Sequence, residues 1–362
     1  MNRPIFDPKE LVVISKLPAN PMRPEASIYD YPCTPKENFK GMLSRQPVWQ
    51  ASMLDSRLFT PAFYPDNVAR AMVFEHEPHD PLTQGGGKDI FGLNWEYVAQ
   101  AGGSMVRPGK PLLEDANDWK EKVVFPDMDS WDWEGAAGAN NDTYLETEQY
   151  INAWFMTGWY ERLISFMDFE GAIMAMVDED QTDAVTALFT ELTDMYIDLL
   201  GRFFKYFPKI DGVCFHDDWG SQRETFFSPK VAQEMIVPHM QRVTKYIHDS
   251  GRFCELHSCG QLLKQVPNII EAGWDYWTPQ LMNDTHLIYE QYGDKLVIGV
   301  ATEPFDPSAT SEAEQRTAAK AYADKFCRPD KPSYYNSSAG HLLVPAFREE
   351  LYIRSRENYS MA

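Results

Sequence analysis

The run Glu255-Leu256-His257-Ser258-Cys259-Gly260 places an imidazole and a thiol one residue apart, at the end of a strand-like segment that begins at Arg252. Strand side chains alternate faces, so Glu255, His257 and Cys259 start out on one side, although the turn near Gly260 can re-aim the last. Neutral imidazole nitrogen and thiolate sulfur are ligands that zinc prefers. Two ligands make half a site, so a third and fourth must come from elsewhere. A second constellation is His216-Asp217-Asp218-Trp219-Gly220. A single acid there would serve equally well as a turn cap. Two acids behind a histidine crowd like charges and raise a pKa, which points to acid–base chemistry.

The elements that must position these residues are legible in outline. Thr34-Pro35-Lys36-Glu37 is a capping box with proline at the first helical position, predicting a helix to about Arg45. Pro47–Ala51 reads as a first strand. From about 55 to 145 the chain is rich in Gly, Pro, Asp and Trp, and reads as a long elaboration without its own core. From 150 onward strand-like and helix-like segments alternate: strands near 150–157, 211–216, 253–257, 275–278, 296–300 and 333–336, and helices near 171–177, 181–204, 229–248, 262–272, 285–292 and 312–326. Such alternation without hairpin signals implies parallel strands and right-handed crossovers. The expected fold is α/β, a closed (β/α)8 TIM barrel over 34–362 with an irregular N-terminal extension over 1–33. A doubly wound open sheet is the runner-up, but no glycine-rich dinucleotide turn supports it.

In such a barrel, function sits at the C-terminal ends of the strands. Those ends carry His216-Asp217-Asp218-Trp219, His257-Ser258-Cys259, Gln280 with Asn283 beyond it, Thr302-Glu303, and Asn336 through His341. Cys327 looks like a natural further zinc ligand. It ends a helix, however, and helix C-termini lie at the opposite end of a barrel from the site. Cys254 has the wrong parity and Cys214 lies mid-strand. Glu303, His216 and His341 are better placed, giving a His/Cys/carboxylate set in which His257 and Cys259 hold the ion with Glu303 or His216; the alternative is that His257 acts directly as the acid. His248 and His286 read as bystanders on helices, and the Met-rich run 171–176 reads as packing. Trp219, Trp274 and Trp277 are either core or an aromatic substrate wall.

The formal charge of −21 disfavours nucleic acid or an anionic membrane as a partner. Five cysteines without disulfide-like spacing, no apolar leader and no membrane-length segment point to the cytoplasm.

The chain resembles the uroporphyrinogen decarboxylase superfamily, and within it the corrinoid-linked methyltransferases. The resemblance rests on Asp217-Asp218-Trp219-Gly220 with Phe227-Ser228-Pro229, on His257-Ser258-Cys259-Gly260, on Ile270-Glu271-Ala272-Gly273-Trp274-Asp275, and on Asp89-Ile90-Phe91-Gly92. It implies a TIM barrel, a homodimer, and transfer of a methyl group to the cobalt of a separate corrinoid (cobalamin-type) protein. Two departures narrow it. The segment Gln50–Arg57 holds one arginine where the decarboxylases carry an arginine-rich clamp, and an octacarboxylate substrate needs such a clamp. The thiol-methylating branch has a second cysteine at the last strand exit, which here reads Asn336-Ser337-Ser338-Ala339-Gly340. The expected activity is therefore O-demethylation of a methoxylated small molecule, an aromatic ether among the candidates, as in anaerobic metabolism. His257, Asp217 and Asp218 are the expected catalytic residues, and His216, Trp219, Gln280, Asn283 and Asn336 the expected substrate contacts. A porphyrinogen decarboxylase, a methylcobamide:thiol methyltransferase and a non-enzymatic binding barrel are the alternatives.

Overall fold

The structure, a computed structural model, describes residues 5–20, 24–100, 102–337 and 341–360. Parts of the N-terminal extension and of the last strand exit (338–340) lie outside the described residues. The chain forms two compact units. Met1–Arg57, Glu148–Tyr150 and Asp275–Ala362 make the first; Leu58–Thr147 and Ile151–Trp274 make the second.

In the first unit, β1 (Val13–Leu17) pairs antiparallel with β2 (Ala26–Tyr29), so the extension expected to be irregular contains a small sheet. Four of the five β1 residues are exposed, so it carries no inside/outside alternation for a sequence reading to detect. The second unit holds half of β3 (Ser56–Phe59), then the antiparallel set β4 (Gly87–Lys88), β5 (Asn94–Val98) and β6 (Gly103–Val106) within the elaborated region. It also holds most of β7 (Tyr150–Phe155), with β8 (Gly212–His216) and β9 (Phe253–His257). The first unit closes with β10 (Tyr276–Trp277), β11 (Val297–Val300) and β12 (Tyr334–Tyr335).

In the second unit β9, β8, β7 and β3 are hydrogen-bonded neighbours in that order, and in the first unit β12, β11 and β10 are; each run follows the sequential order of an α/β barrel. The β7–β8, β8–β9, β10–β11 and β11–β12 pairs are parallel. Among the described residues these two runs hold seven strands, where a closed eight-stranded ring was expected. The expected strand at Pro47–Ala51 forms no ladder because its donors go elsewhere. Val48 and Trp49 give their N–H groups to Asn38 Oδ1 (2.8 and 3.0 Å), Gln50 gives its own to Ser355 Oγ (3.0 Å), and proline has none. A single bond, Tyr335 N to Ala51 O at 2.8 Å, joins this segment to β12.

The helix expected to begin at 171 starts much earlier and spans Trp159–Ala175, interrupted at Asp168 (φ 59°, ψ 172°). That outlier conformation is held by a 2.7 Å bond from Gly109 N to the Asp168 carboxylate. The long helix Thr182–Tyr206 buries Val185, Leu188, Phe189, Leu192, Met195, Tyr196, Leu199, Leu200 and Phe203 at three- and four-residue spacing, and supplies much of the second unit's core. The predicted helix 229–248 is two, Pro229–Met235 and Val237–Asp249, because Pro238 can neither donate to the preceding turn nor avoid crowding it. The helix Pro345–Ser360 shows no apolar period, because the face it buries includes Arg348, Glu350 and Arg356; Arg356 is paired with Glu10 (2.8 and 2.9 Å).

His239, on the Val237–Asp249 helix, carries a pH prediction. Burial first, and then Arg242, push its pKa down to about 4. The unfolded chain takes up a proton on this histidine near the ordinary value of about 6.5, so between those values the unfolded state holds the extra proton. His239 therefore contributes a stability increment that is complete above about pH 6.5 and is lost as pH falls toward 4. Urea midpoints measured across this window should decline less steeply for His239→Gln than for the parent. Parallel declines would remove His239 from the account.

Candidate functional site

In the second unit, parallel register sets His216 of β8 beside His257 of β9. Their rings stack with centroids 4.7 Å apart and planes 20° apart. The loops beyond the two strands are stitched together. Asp217 N donates to His257 O (2.9 Å), Trp219 N to Ser258 Oγ (3.0 Å), Cys259 N to Asp218 Oδ1 (2.6 Å) and Gln261 N to Ser221 O (2.7 Å). This lacing brings His216, Asp218, His257 and Cys259 together, with one ligand atom from each lying within 4.8 Å of the others. His216 is buried, whereas the other three are partly open.

Gly260 makes the lacing possible. Its φ is +101°, and a Cβ there would stand 2.3 Å from the Gly220 carbonyl. No side chain fits, and the conformation itself favours glycine. Gly260→Ala is expected to cost about 1–3 kcal/mol and to displace Cys259 from the cluster, which would weaken binding of any metal the cluster holds. Chemical denaturation and metal titration check both effects.

Two histidine nitrogens, a carboxylate oxygen and a thiol sulfur are a zinc-compatible donor set. Ligands at about 2.0–2.3 Å from a tetrahedral ion stand about 3.3–3.8 Å from one another. The distances from Cys259 Sγ to His257 Nε2 (3.6 Å) and from His216 Nε2 to Asp218 Oδ1 (3.8 Å) lie in that range. The residues present fit the ion.

The electrostatics agree. Burial, then His216 and Arg70, push the His257 pKa down to about 4, leaving the neutral imidazole that ligates metals. Burial alone would raise Asp218, but His216, His257 and the Cys259 N–H more than offset it and hold the carboxylate below its ordinary range. Burial, then Asp218, push the Cys259 thiol well up, so a thiolate here requires a cation beside it. Burial would lower His216, but Glu161 and Asp218 outweigh it and raise its pKa.

The other expected site residues lie as follows. Asp217 is fully buried at the start of the Trp159–Ala175 helix, accepting from Glu161 N (2.9 Å), Tyr160 N (3.3 Å) and Trp219 Nε1 (3.0 Å). It caps the helix from another element, since Gly158 has no side chain to do so; a Cβ on Gly158 would lie 2.5 Å from that of Asp217. Trp219 is fully buried and packs on Phe227. The tryptophan facing the site is Trp154, half-buried on the otherwise buried β7, with its ring 5.2 Å from that of His257. In the first unit, Glu303 is exposed with its carboxylate beside His286 (3.6 Å). Asn336 donates to Pro279 O (2.7 Å), and Asn283 to Gln280 O (3.1 Å). Cys327 is buried, donating to Gln50 Oε1 (2.9 Å).

Three residues bearing on the site had no signal in the sequence: Trp154, Arg70 and Glu161. Glu161 accepts from both Arg70 guanidinium nitrogens (3.0 Å each) and from His216 Nδ1 (2.6 Å). The first lies mid-strand, the second in the elaborated region and the third on a helix that begins twelve residues before the expected start at 171, and only the folded chain brings them to the site.

No family model matches the sequence, and no curated protein matches it. Among solved structures, that of a methyltransferase from Methanosarcina mazei matches with a TM-score of 0.56 at 13% identity, covering 90% of this chain and 99% of that one. The chain shares the fold of this methyltransferase.

Proposed function

We propose that the protein is a methyltransferase that moves a methyl group from a methoxylated small molecule to the cobalt of a partner corrinoid protein, with a zinc ion held by His216, Asp218, His257 and Cys259. The observation that carries this reading is the four-ligand cluster at the C-terminal ends of adjacent parallel strands, on a fold shared with a methyltransferase. In this reading His216, which the sequence offered as an alternative to Glu303, is a ligand and Asp218 joins it.

In the reaction the methyl carbon would take an electron pair from the reduced cobalt of the partner corrinoid protein, the methyl acceptor. The C–O bond breaks with its electrons passing to oxygen, and the oxygen leaves as an alcohol or phenol once a proton is taken up. A methyl ether resists this because its leaving oxygen is basic, and a bound zinc ion supplies Lewis acidity at that oxygen. The side chains hold the ligand set open toward substrate: Asp218, His257 and Cys259 are partly exposed, and Trp154 offers its ring as a wall beside His257. Asp217 fixes the helix start from which Glu161 reaches His216.

The test combines metal analysis with turnover. The purified protein should hold about one zinc per chain and should deplete reduced corrinoid in the presence of a methoxylated aromatic donor, releasing the phenol. A metal-free protein that transfers no methyl group from a donor panel, or that converts uroporphyrinogen to coproporphyrinogen instead, sinks the proposal.

A further inference from the structure

We infer that Glu161 and Arg70 are positioning residues that orient His216 toward the metal, an inference that rests on the metal reading above. The two Glu161 oxygens are divided between partners. Oε1 accepts from both Arg70 nitrogens at 3.0 Å, and Oε2 faces His216 Nδ1 at 2.6 Å. Arg70 Nη2 also approaches Nδ1, at 3.4 Å, but arginine can only donate. The short contact therefore assigns the Nδ1 proton to Glu161. That leaves Nε2 turned to Asp218 and the cluster. A carboxylate on the far nitrogen of a ligating histidine fixes its tautomer and ring orientation and raises its basicity.

The pair is held from behind. The Arg70 guanidinium lies over the Trp95 ring, 4.9 Å from its centroid. Trp95 Nε1 donates to Asp89 (2.9 Å), and Asp89 accepts from Arg162 (2.9 Å). Arg162 follows Glu161 on the same helix, so two consecutive side chains close a loop through the elaborated region and back to His216. Side chains of Arg70 and Glu161 are each 11% exposed, too enclosed for a casual surface ion pair. The region from 55 to 145 thereby supplies the outer support of the site.

Glu161→Gln keeps the size of the side chain but removes its charge. Zinc and cobalt(II) affinities, measured by chelator competition, should fall about 10–100-fold, and the visible absorption of the cobalt(II)-loaded protein should shift. Glu161→Asp should recover part of the affinity. A merely structural ion pair would alter urea stability and leave affinity and spectrum where they were, which would overturn this inference alone. Failure of the parent protein to bind either ion would overturn the metal reading with it. If Glu161→Gln does not fold, Arg70→Lys carries the same test, since lysine keeps the charge but loses the double grip on Oε1 and the flat stack on Trp95. Unchanged affinity in that variant would equally overturn the inference.

Discussion

Replacing His257 with alanine is expected to strip the metal and stop methyl transfer while leaving the fold intact. His257 Nε2 lies 3.6 Å from Cys259 Sγ, and its ring stacks on that of His216, so it stands at the centre of the cluster. Loss of an outer-shell partner commonly costs about 10–100-fold in metal affinity. Loss of one of the ligands should exceed that, because the remaining three must also accept a rearranged geometry. The fold should survive. The ring contributes a partly buried neutral imidazole next to Trp154, and its strand is held by the β8–β9 ladder. Metal content, turnover with reduced corrinoid and a urea midpoint for the metal-free variant measure the three parts separately. Full metal occupancy and undiminished turnover in His257→Ala would remove the cluster from the mechanism.

Arg162→Met is expected to destabilise the protein by about 3–5 kcal/mol. Arg162, Asp66 and Asp89 are buried together in the second unit, with the guanidinium bridging the two carboxylates. Methionine fills comparable volume but leaves two buried carboxylates without their cation, and that uncompensated charge dominates the cost. Asp66 retains the Tyr64 hydroxyl (3.0 Å) and Ile90 N (3.1 Å). Asp89 retains Phe91 N, Leu93 N (2.9 Å each) and Trp95 Nε1, which keeps the loss from being larger. Arg202, paired with Asp129 and Asp198 at the surface, provides the contrast: its removal should cost about 0–1 kcal/mol. Urea denaturation of both variants decides the matter. Equal small losses would mean that the buried triad is solvated well enough to tolerate its own breakage. Because Asp89 also steadies Trp95 under Arg70, metal affinity should weaken alongside stability in Arg162→Met.

Much of the framework is legible in the sequence alone. Capping boxes at Thr34–Glu37 and Ser311–Glu314 mark the helix starts observed at Pro35 and Glu312. Strands β8, β9 and β11 fall where short apolar runs end in polar residues. These features are local, since each depends on side chains within a few residues of one another. Elements whose surroundings override local preference are the ones that differ. Pro47–Ala51 lost its ladder to Asn38 and Ser355, far away in the chain or on another element. The Pro345–Ser360 helix hides its buried face behind charged residues that find partners only in the folded chain.

The site divides in the same way. The sequence by itself determined that an imidazole, a thiol and a glycine end one strand and that a histidine and two acids end another, because strand ends are written in consecutive residues. Which of those groups meet was decided only by the tertiary structure. Parallel register put His216 beside His257, and loop-to-loop hydrogen bonds turned Asp218 toward Cys259 while committing Asp217 to a helix start. The pairing of Glu161 with Arg70 and His216 joins residues about 90 and 55 positions apart along the chain. No local pattern encodes such a distance; only the packing of helix, strand and elaborated region brings the three side chains within hydrogen-bond reach.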